Sequence, residues 1–122
     1  MYECKYPHLF EPIRVGNRTF RNRIFNSPTG THYRTINGLP TDDAIAYYER
    51  KAIGGAASVC IGDAMVDGEI ALANGNHILL DDPTARPHLN KLAEAIKRHG
   101  ALANIELNHA GMLSEFDVAA SE

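Results

Sequence analysis

Residues 47–63 read YYERKAIGGAASVCIGD. Tyr48, Ala52 and Ile53, with Ile45 just upstream, fall at helical spacing, and Gly54-Gly55 stops the helix. Ala56 to Ile61 (AASVCI) is then a nearly unbroken apolar run, the pattern of a strand buried on both faces in a parallel sheet. Gly62-Asp63 is expected to end it. A helix delivered straight into a buried strand makes the flanks decisive.

Upstream, Thr41-Asp42-Asp43 opens the helix: a hydroxyl can cap free N–H groups, and two carboxylates suit the positive end of the dipole. Arg23 to Ser27 is a strand candidate ending at Pro28, and Thr29 to Pro40, with Gly30, Asn37, Gly38 and Pro40, reads as a long loop. Leu9 to Arg23 reads as an amphipathic hairpin turning at Gly16-Asn17. Downstream, Met65 to Asp82 is a second long connection. A second helix begins at Asp82-Pro83 or Arg86-Pro87 and carries Leu89, Leu92, Ala93 and Ile96 on one face. Lys97, Arg98 and His99 suit its negative end as a solvated terminus, with Gly100 as the residue just past it. Ala101 to Leu107 is a third strand, left through Asn108-His109-Ala110-Gly111. The order is a hairpin followed by βαβαβ. That is an α/β fold with parallel strands and right-handed crossovers. The long segments follow the carboxyl ends of the first two strands, where parallel α/β folds place their sites.

Composition narrows the field. The chain has 122 residues, 44% hydrophobic and 22% charged, with a net charge of −3. That excludes a disordered chain and lacks the basic footprint of a nucleic-acid binder. No apolar run reaches the roughly 18–20 residues of a membrane span. Cys4 and Cys60 make no disulfide scaffold; a surface thiol and a packed core thiol are expected. The N-terminal MYECKYPH has no apolar signal region, so a cytoplasmic location is expected. The length is far below the roughly 250 residues of a complete (β/α)8 barrel.

The first strand is followed by Ser27-Pro28-Thr29-Gly30-Thr31-His32, not by a Gly-x-Gly-x-x-Gly turn, and no Walker loop is present. Polar and small residues gather at the strand ends instead: Ser27-Pro28-Thr29-Gly30, Gly62-Asp63, and Glu106-Leu107-Asn108-His109. A planar cofactor lying across a sheet end needs small residues or bare backbone beneath its ring and hydrogen-bonding groups at its edge. Both are available here.

The ordered set LFEPIRVGNRTFRNRI, SPTGTHY, YYERKAIGG, DDPTARPHLNKLAEAIKRHGA and IELNHAGM, from about Leu9 to Met112, resembles the Old Yellow Enzyme family. The nearest likeness is to its NADH:flavin oxidoreductase and 2,4-dienoyl-CoA reductase branch. The resemblance implies that residues 1–122 are the N-terminal portion of an FMN-binding TIM barrel, truncated after the third strand. It also implies that the hairpin closes the barrel end opposite the flavin. It places Ser27, Pro28, Thr29 and Gly30 beside the flavin, Asp63 at a flavin-contacting position usually filled by a small residue, and Glu106 where a glutamine normally bonds the flavin pyrimidine edge. The implied activity is FMN-dependent hydride transfer from NAD(P)H to a small-molecule activated alkene, with no nucleic-acid or membrane partner. Proton donors and phosphate loops would lie on later strands, and any iron–sulfur cysteines would follow the barrel core. No catalytic residue is assigned, and the chain by itself is expected to be inactive.

Departures from the family pattern matter. Glutamine can both accept and donate; an ionised Glu106 can only accept and would oppose a reduced, anionic flavin. A lowered flavin potential is the expectation. Asp63 is bulkier than the usual residue, so its side chain must point away from the ring. Lys51 and Met112 stand where the family has arginines. Bland readings compete at several positions. His109 is equally a structural histidine, His32 beside Tyr33 is more simply solvent-exposed, and Tyr47-Tyr48 is packing. Asp63, Glu106 and His109 have no local metal-ligand spacing, so no metal is expected. The rival function is a non-catalytic α/β module completed by self-association through its open sheet.

Overall fold

The computed structural model of the chain describes residues 4–30, 35–72 and 76–114. His32 and Tyr33, and residues 115–122 beyond the third strand, lie outside the described residues.

After a 3-10 turn at Pro7–Phe10, β1 (Ile13–Val15) and β2 (Arg18–Phe20) form the expected antiparallel hairpin, with Gly16 in the left-handed region at φ 58°. The main sheet is parallel. β6 (Ser58–Met65) is its centre, paired with β3 (Phe25–Thr29) on one edge and β8 (Leu102–Asn108) on the other. The loop expected over residues 29–40 contains a small antiparallel pair, β4 (Thr35–Ile36) and β5 (Leu39–Pro40). The connection expected over residues 65–82 contains β7 (Ile78–Leu79), which pairs with Ala64 and Met65 of β6. Ala64 also pairs with Leu107, so β7 continues the β3 edge.

α1 (Asp42–Ile53) and α2 (Ala85–Lys97) cross between these strands. The Thr41 hydroxyl accepts from Ala44 N–H at 3.4 Å, and Asp42 and Asp43 occupy the first turn. α2 starts at Ala85, between the two expected points. Asp82 accepts from both the amide and the hydroxyl of Thr84 at 2.7 Å and turns the chain into the helix, while Pro87 falls in the first turn, where its missing N–H costs nothing. Gly100 is left-handed at φ 78°, but the helix cap is Arg98, so the glycine lies beyond the expected place.

Both helices pack on one face of the sheet. Tyr48 and Ala52 of α1 and Leu92 and Ile96 of α2 meet Val59, Ile61 and Ala64 of β6 in the core. Burying Leu92 and Ile96 stabilises the layer by about 1.5–3 kcal/mol each. β6 is buried at six of its eight positions, on both faces, as its composition suggests; Cys60 and Asp63 alone are half-buried. Cys60 is accordingly not the packed core thiol expected.

The hairpin is tied to the amino end of the sheet. Phe20 packs on Phe25 with ring centroids 4.7 Å apart. Arg21 donates to the carbonyls of His99, Ala52 and Ala56 at 2.5, 2.8 and 2.8 Å. One guanidinium thus satisfies carbonyls at the ends of both helices, where intrahelical donors run out. Asn22 donates to Gly55 O at 2.7 Å and accepts from Ile24 N–H at 3.0 Å. The residues after α2 are not simply solvated: Arg98 and His99 both contact Glu49 of α1, at 3.1 and 2.7 Å.

Candidate functional site at the carboxyl edge of the sheet

Two bulges shape the carboxyl edge. On β3, Asn26 pairs with Val59 but Thr29 with Ile61, so β3 carries one extra residue before Thr29. The strand therefore continues through Pro28 to Thr29 rather than stopping at Pro28. On β6, Ile61 pairs with Ile105 but Ala64 with Leu107, so Gly62-Asp63 holds the extra residue on that strand. The strand expected to end at Gly62-Asp63 instead runs on to Met65.

Each bulge has an identifiable cause. A Cβ on Gly62 would lie 2.3 Å from Thr29 N and 2.8 Å from the Pro28 carbonyl carbon, so the β3 and β6 backbones approach closely only because residue 62 is glycine. Asp63 sits in the left-handed region at φ 60°, a conformation aspartate tolerates better than most residues. The Thr29 carbonyl accepts a hydrogen bond of 2.5 Å from the hydroxyl of Tyr48, which is fully buried. Tyr48 is therefore packing, as its helical position suggests, and it also fixes the end of β3.

These bulges bring the expected residues to one edge. Ser27, Pro28 and Thr29 are exposed on β3 with Gly30 just beyond, Asp63 lies on β6, and Glu106 lies on β8. Glu106 Oε2 accepts from Asp63 N–H at 3.0 Å. The Asp63 side chain turns to other partners: Oδ2 lies 2.9 Å from His77 Nδ1, and Oδ1 accepts from Asn108 Nδ2 at 2.5 Å. Burial, and secondarily the Glu106 carboxylate, push the Cys60 thiol above its ordinary pKa.

His109 is held locally, its Nδ1 accepting from Gly111 N–H at 3.0 Å. Asp67, in the connection after β6, accepts from the amides of Ile70 and Glu69, which hold its carboxyl below the usual aspartate value. Among the described residues no three His, Cys, Asp or Glu side chains are grouped to share a metal ion. No helix among the described residues is long and apolar enough to cross a membrane.

The profile of the NADH:flavin oxidoreductase / NADH oxidase family matches residues 8–122. The chain belongs to this family. An N,N-dimethylglycine/sarcosine dehydrogenase of Chromohalobacter salexigens is 33% identical over 110 residues, 89% of this chain. A solved 2-naphthoyl-CoA reductase complex superposes with a TM-score of 0.84 at 27% identity over 90% of the chain. A 6-hydroxypseudooxynicotine amine oxidase from Pseudomonas geniculata N1 superposes with a TM-score of 0.79 at 31% identity over 91%. The chain spans 16%, 17% and 16% of the lengths of these three proteins. Old yellow enzymes share the fold, one from Trypanosoma cruzi with a TM-score of 0.80. The α/β sheet with parallel strands is therefore the N-terminal portion of the TIM barrel seen in these neighbours.

The acceptor at Glu106 is of the kind that a flavin pyrimidine edge can use. Glu106 spends one oxygen on Asp63 N–H, and Oε1 has no protein partner among the described residues, leaving an acceptor for an imide N–H. An ionised carboxylate there can accept but cannot donate.

His77, buried beside Asp63, escaped the sequence reading. It lies inside a long polar connection, and only the pairing of β7 with β6 brings it to the site.

Proposed function

We propose that the chain forms the first three strands, and the amino-end hairpin, of an FMN-dependent NAD(P)H oxidoreductase. In this reading residues 1–122 are a partial barrel domain. The flavin lies against Ser27, Pro28, Thr29 and Gly30, beside Asp63, and with its pyrimidine edge at Glu106. The observation that carries the reading is the convergence of these segments on the carboxyl edge of one parallel sheet in a chain of this family.

A flavin bound there would supply hydride-transfer chemistry between a nicotinamide and an activated alkene. This chain's residues bind and orient. Tyr48 holds the Thr29 carbonyl, so the β3 end presents a fixed backbone surface. Gly62 lets that surface sit close to β6. Glu106 offers an acceptor at the edge and adds negative charge there, which disfavours a reduced anionic flavin.

The alkene-reducing reading is supported by the likeness to a naphthoyl-CoA reductase. A second substrate class, a secondary or tertiary amine oxidised by the flavin, is supported by the likeness to a dimethylglycine/sarcosine dehydrogenase and to an amine oxidase.

The test is reconstitution of the full-length protein with FMN. A flavin absorbance band that bleaches anaerobically with NADH or NADPH and returns with an α,β-unsaturated thioester supports the first substrate class. Bleaching by a secondary amine instead supports the second. A protein that takes up no flavin refutes both.

The rival reading, a self-associating module without catalysis, is favoured by one observation. Leu107, Met112 and Leu113 are 66%, 98% and 76% exposed at the β8 end. Light scattering of the 122-residue chain separates the two: a discrete soluble oligomer that unfolds cooperatively favours the self-associating module, and open-ended aggregation a partial barrel.

A further inference from the structure

The cluster around Asp63 joins three segments distant in sequence. β7 pairs Ile78 with Ala64, so the preceding residues, His77 and Asp63, fall side by side at the next register position. His77 Nδ1 is 2.9 Å from Asp63 Oδ2, and the His77 side chain is 3% exposed. Asn108, at the end of β8, donates to Asp63 Oδ1. Asp63 N–H in turn donates to Glu106 Oε2.

The chemistry of the cluster sets its direction. An ionised carboxylate can only accept, so the proton of this contact sits on His77 Nδ1. Asp63 and Glu106 are like charges on neighbouring strands. What separates them is a backbone amide aimed at one and two side-chain donors aimed at the other. The amide points at Glu106 only while Asp63 keeps its left-handed φ of 60°. A non-glycine residue persists in such a conformation when its surroundings over-determine it. Here the over-determination is visible: both carboxylate oxygens of Asp63 are held, one from the β7 side and one from the β8 side.

We propose that His77 and Asn108 are positioning residues that clamp the Asp63 carboxylate, hold the bulge at Gly62-Asp63, and so aim the Asp63 N–H that orients Glu106 at the cofactor edge. The last clause rests on the flavin reading above; the clamp itself does not. Neither His77 nor Asn108 needs to touch the cofactor. Their effect travels through the backbone of residue 63.

Two readouts on the full-length protein test this: amide hydrogen exchange at residue 63 without flavin, and FMN affinity from fluorescence quenching. His77→Leu removes the donor and keeps the bulk; His77→Asn puts an amide N–H near the place of Nδ1. His77→Leu is expected to speed exchange at residue 63 at least tenfold and weaken FMN at least fivefold, with His77→Asn close to wild type in both. Asp63→Ala is expected to behave like His77→Leu. Equal behaviour of His77→Leu and His77→Asn overturns the proposal, as does an unchanged exchange rate in Asp63→Ala. If wild-type protein does not quench FMN, the flavin reading fails, and the exchange rates alone decide the clamp.

Discussion

Replacing Gly62 by alanine puts a methyl carbon 2.3 Å from Thr29 N, 2.7 Å from Thr29 C and 2.8 Å from Pro28 C. All three are backbone atoms, so no side chain can rotate aside. To regain an ordinary contact of about 3.5 Å, the end of β3 must retreat from β6 by roughly 1 Å. That retreat also draws the Thr29 carbonyl from the Tyr48 hydroxyl, now 2.5 Å away, toward the limit of a hydrogen bond. Overpacking of this kind costs about 1–3 kcal/mol. A weakened bond to a buried tyrosine adds about 1 kcal/mol. The expected loss for Gly62→Ala is therefore about 2–4 kcal/mol, read from urea unfolding as a lowered midpoint at constant slope. Because the retreating segment is Pro28-Thr29-Gly30, FMN affinity should fall with it. A Gly62→Ala protein within 0.5 kcal/mol of wild type, binding FMN equally well, would refute the close-approach argument.

Other consequences are open to direct measurement. Arg21→Met strips the donors from three carbonyls at the ends of both helices, and should cost about 3 kcal/mol in the same unfolding experiment; a loss below 1 kcal/mol would mean water replaces the guanidinium. In a Cys4→Ser background, Cys60 should react with iodoacetamide at pH 8 more slowly than a free thiol. Glu106→Gln should speed that reaction about twofold, since it removes only the smaller of the two causes that raise the thiol. Asp67 and Asp82 both titrate below the ordinary 3.8, Asp67 through the amides of Ile70 and Glu69, Asp82 through the hydroxyl and amide of Thr84. Their stabilisation is complete above that ordinary value and is lost as pH falls through the lowered ones. Stability should thus fall less steeply below pH 3.8 in Asp67→Ala/Asp82→Ala than in wild type; parallel curves would remove these carboxylates from the account.

The elements were readable because each is a local pattern. Thr41 capping α1, the glycine pair after it, the apolar run of β6 and the stripe of Leu89, Leu92 and Ile96 are statements about neighbours in sequence. What escaped the sequence depends on partners distant in the chain. A bulge is a mismatch between two strands, so neither Thr29 nor Asp63 could be seen as continuing its strand. Arg21 reads as one half of an alternating hairpin until its three carbonyls are brought together. Arg98 and His99 read as solvated until Glu49 of α1 stands opposite them. His77 carries no local signal at all. The strand-end polar residues were the legible part of the site; the contacts among them were not.

A flavin edge that meets Glu106 must register in the two-electron midpoint potential of the flavin in full-length protein. Wild type and Glu106→Gln should be compared at one pH. Glutamine keeps an oxygen for Asp63 N–H, regains a donor and removes a negative charge. The variant's potential should therefore rise by roughly 30–60 mV, equivalent to about 1.4–2.8 kcal/mol for a two-electron couple. Equal potentials in the two proteins would mean that no flavin edge meets Glu106.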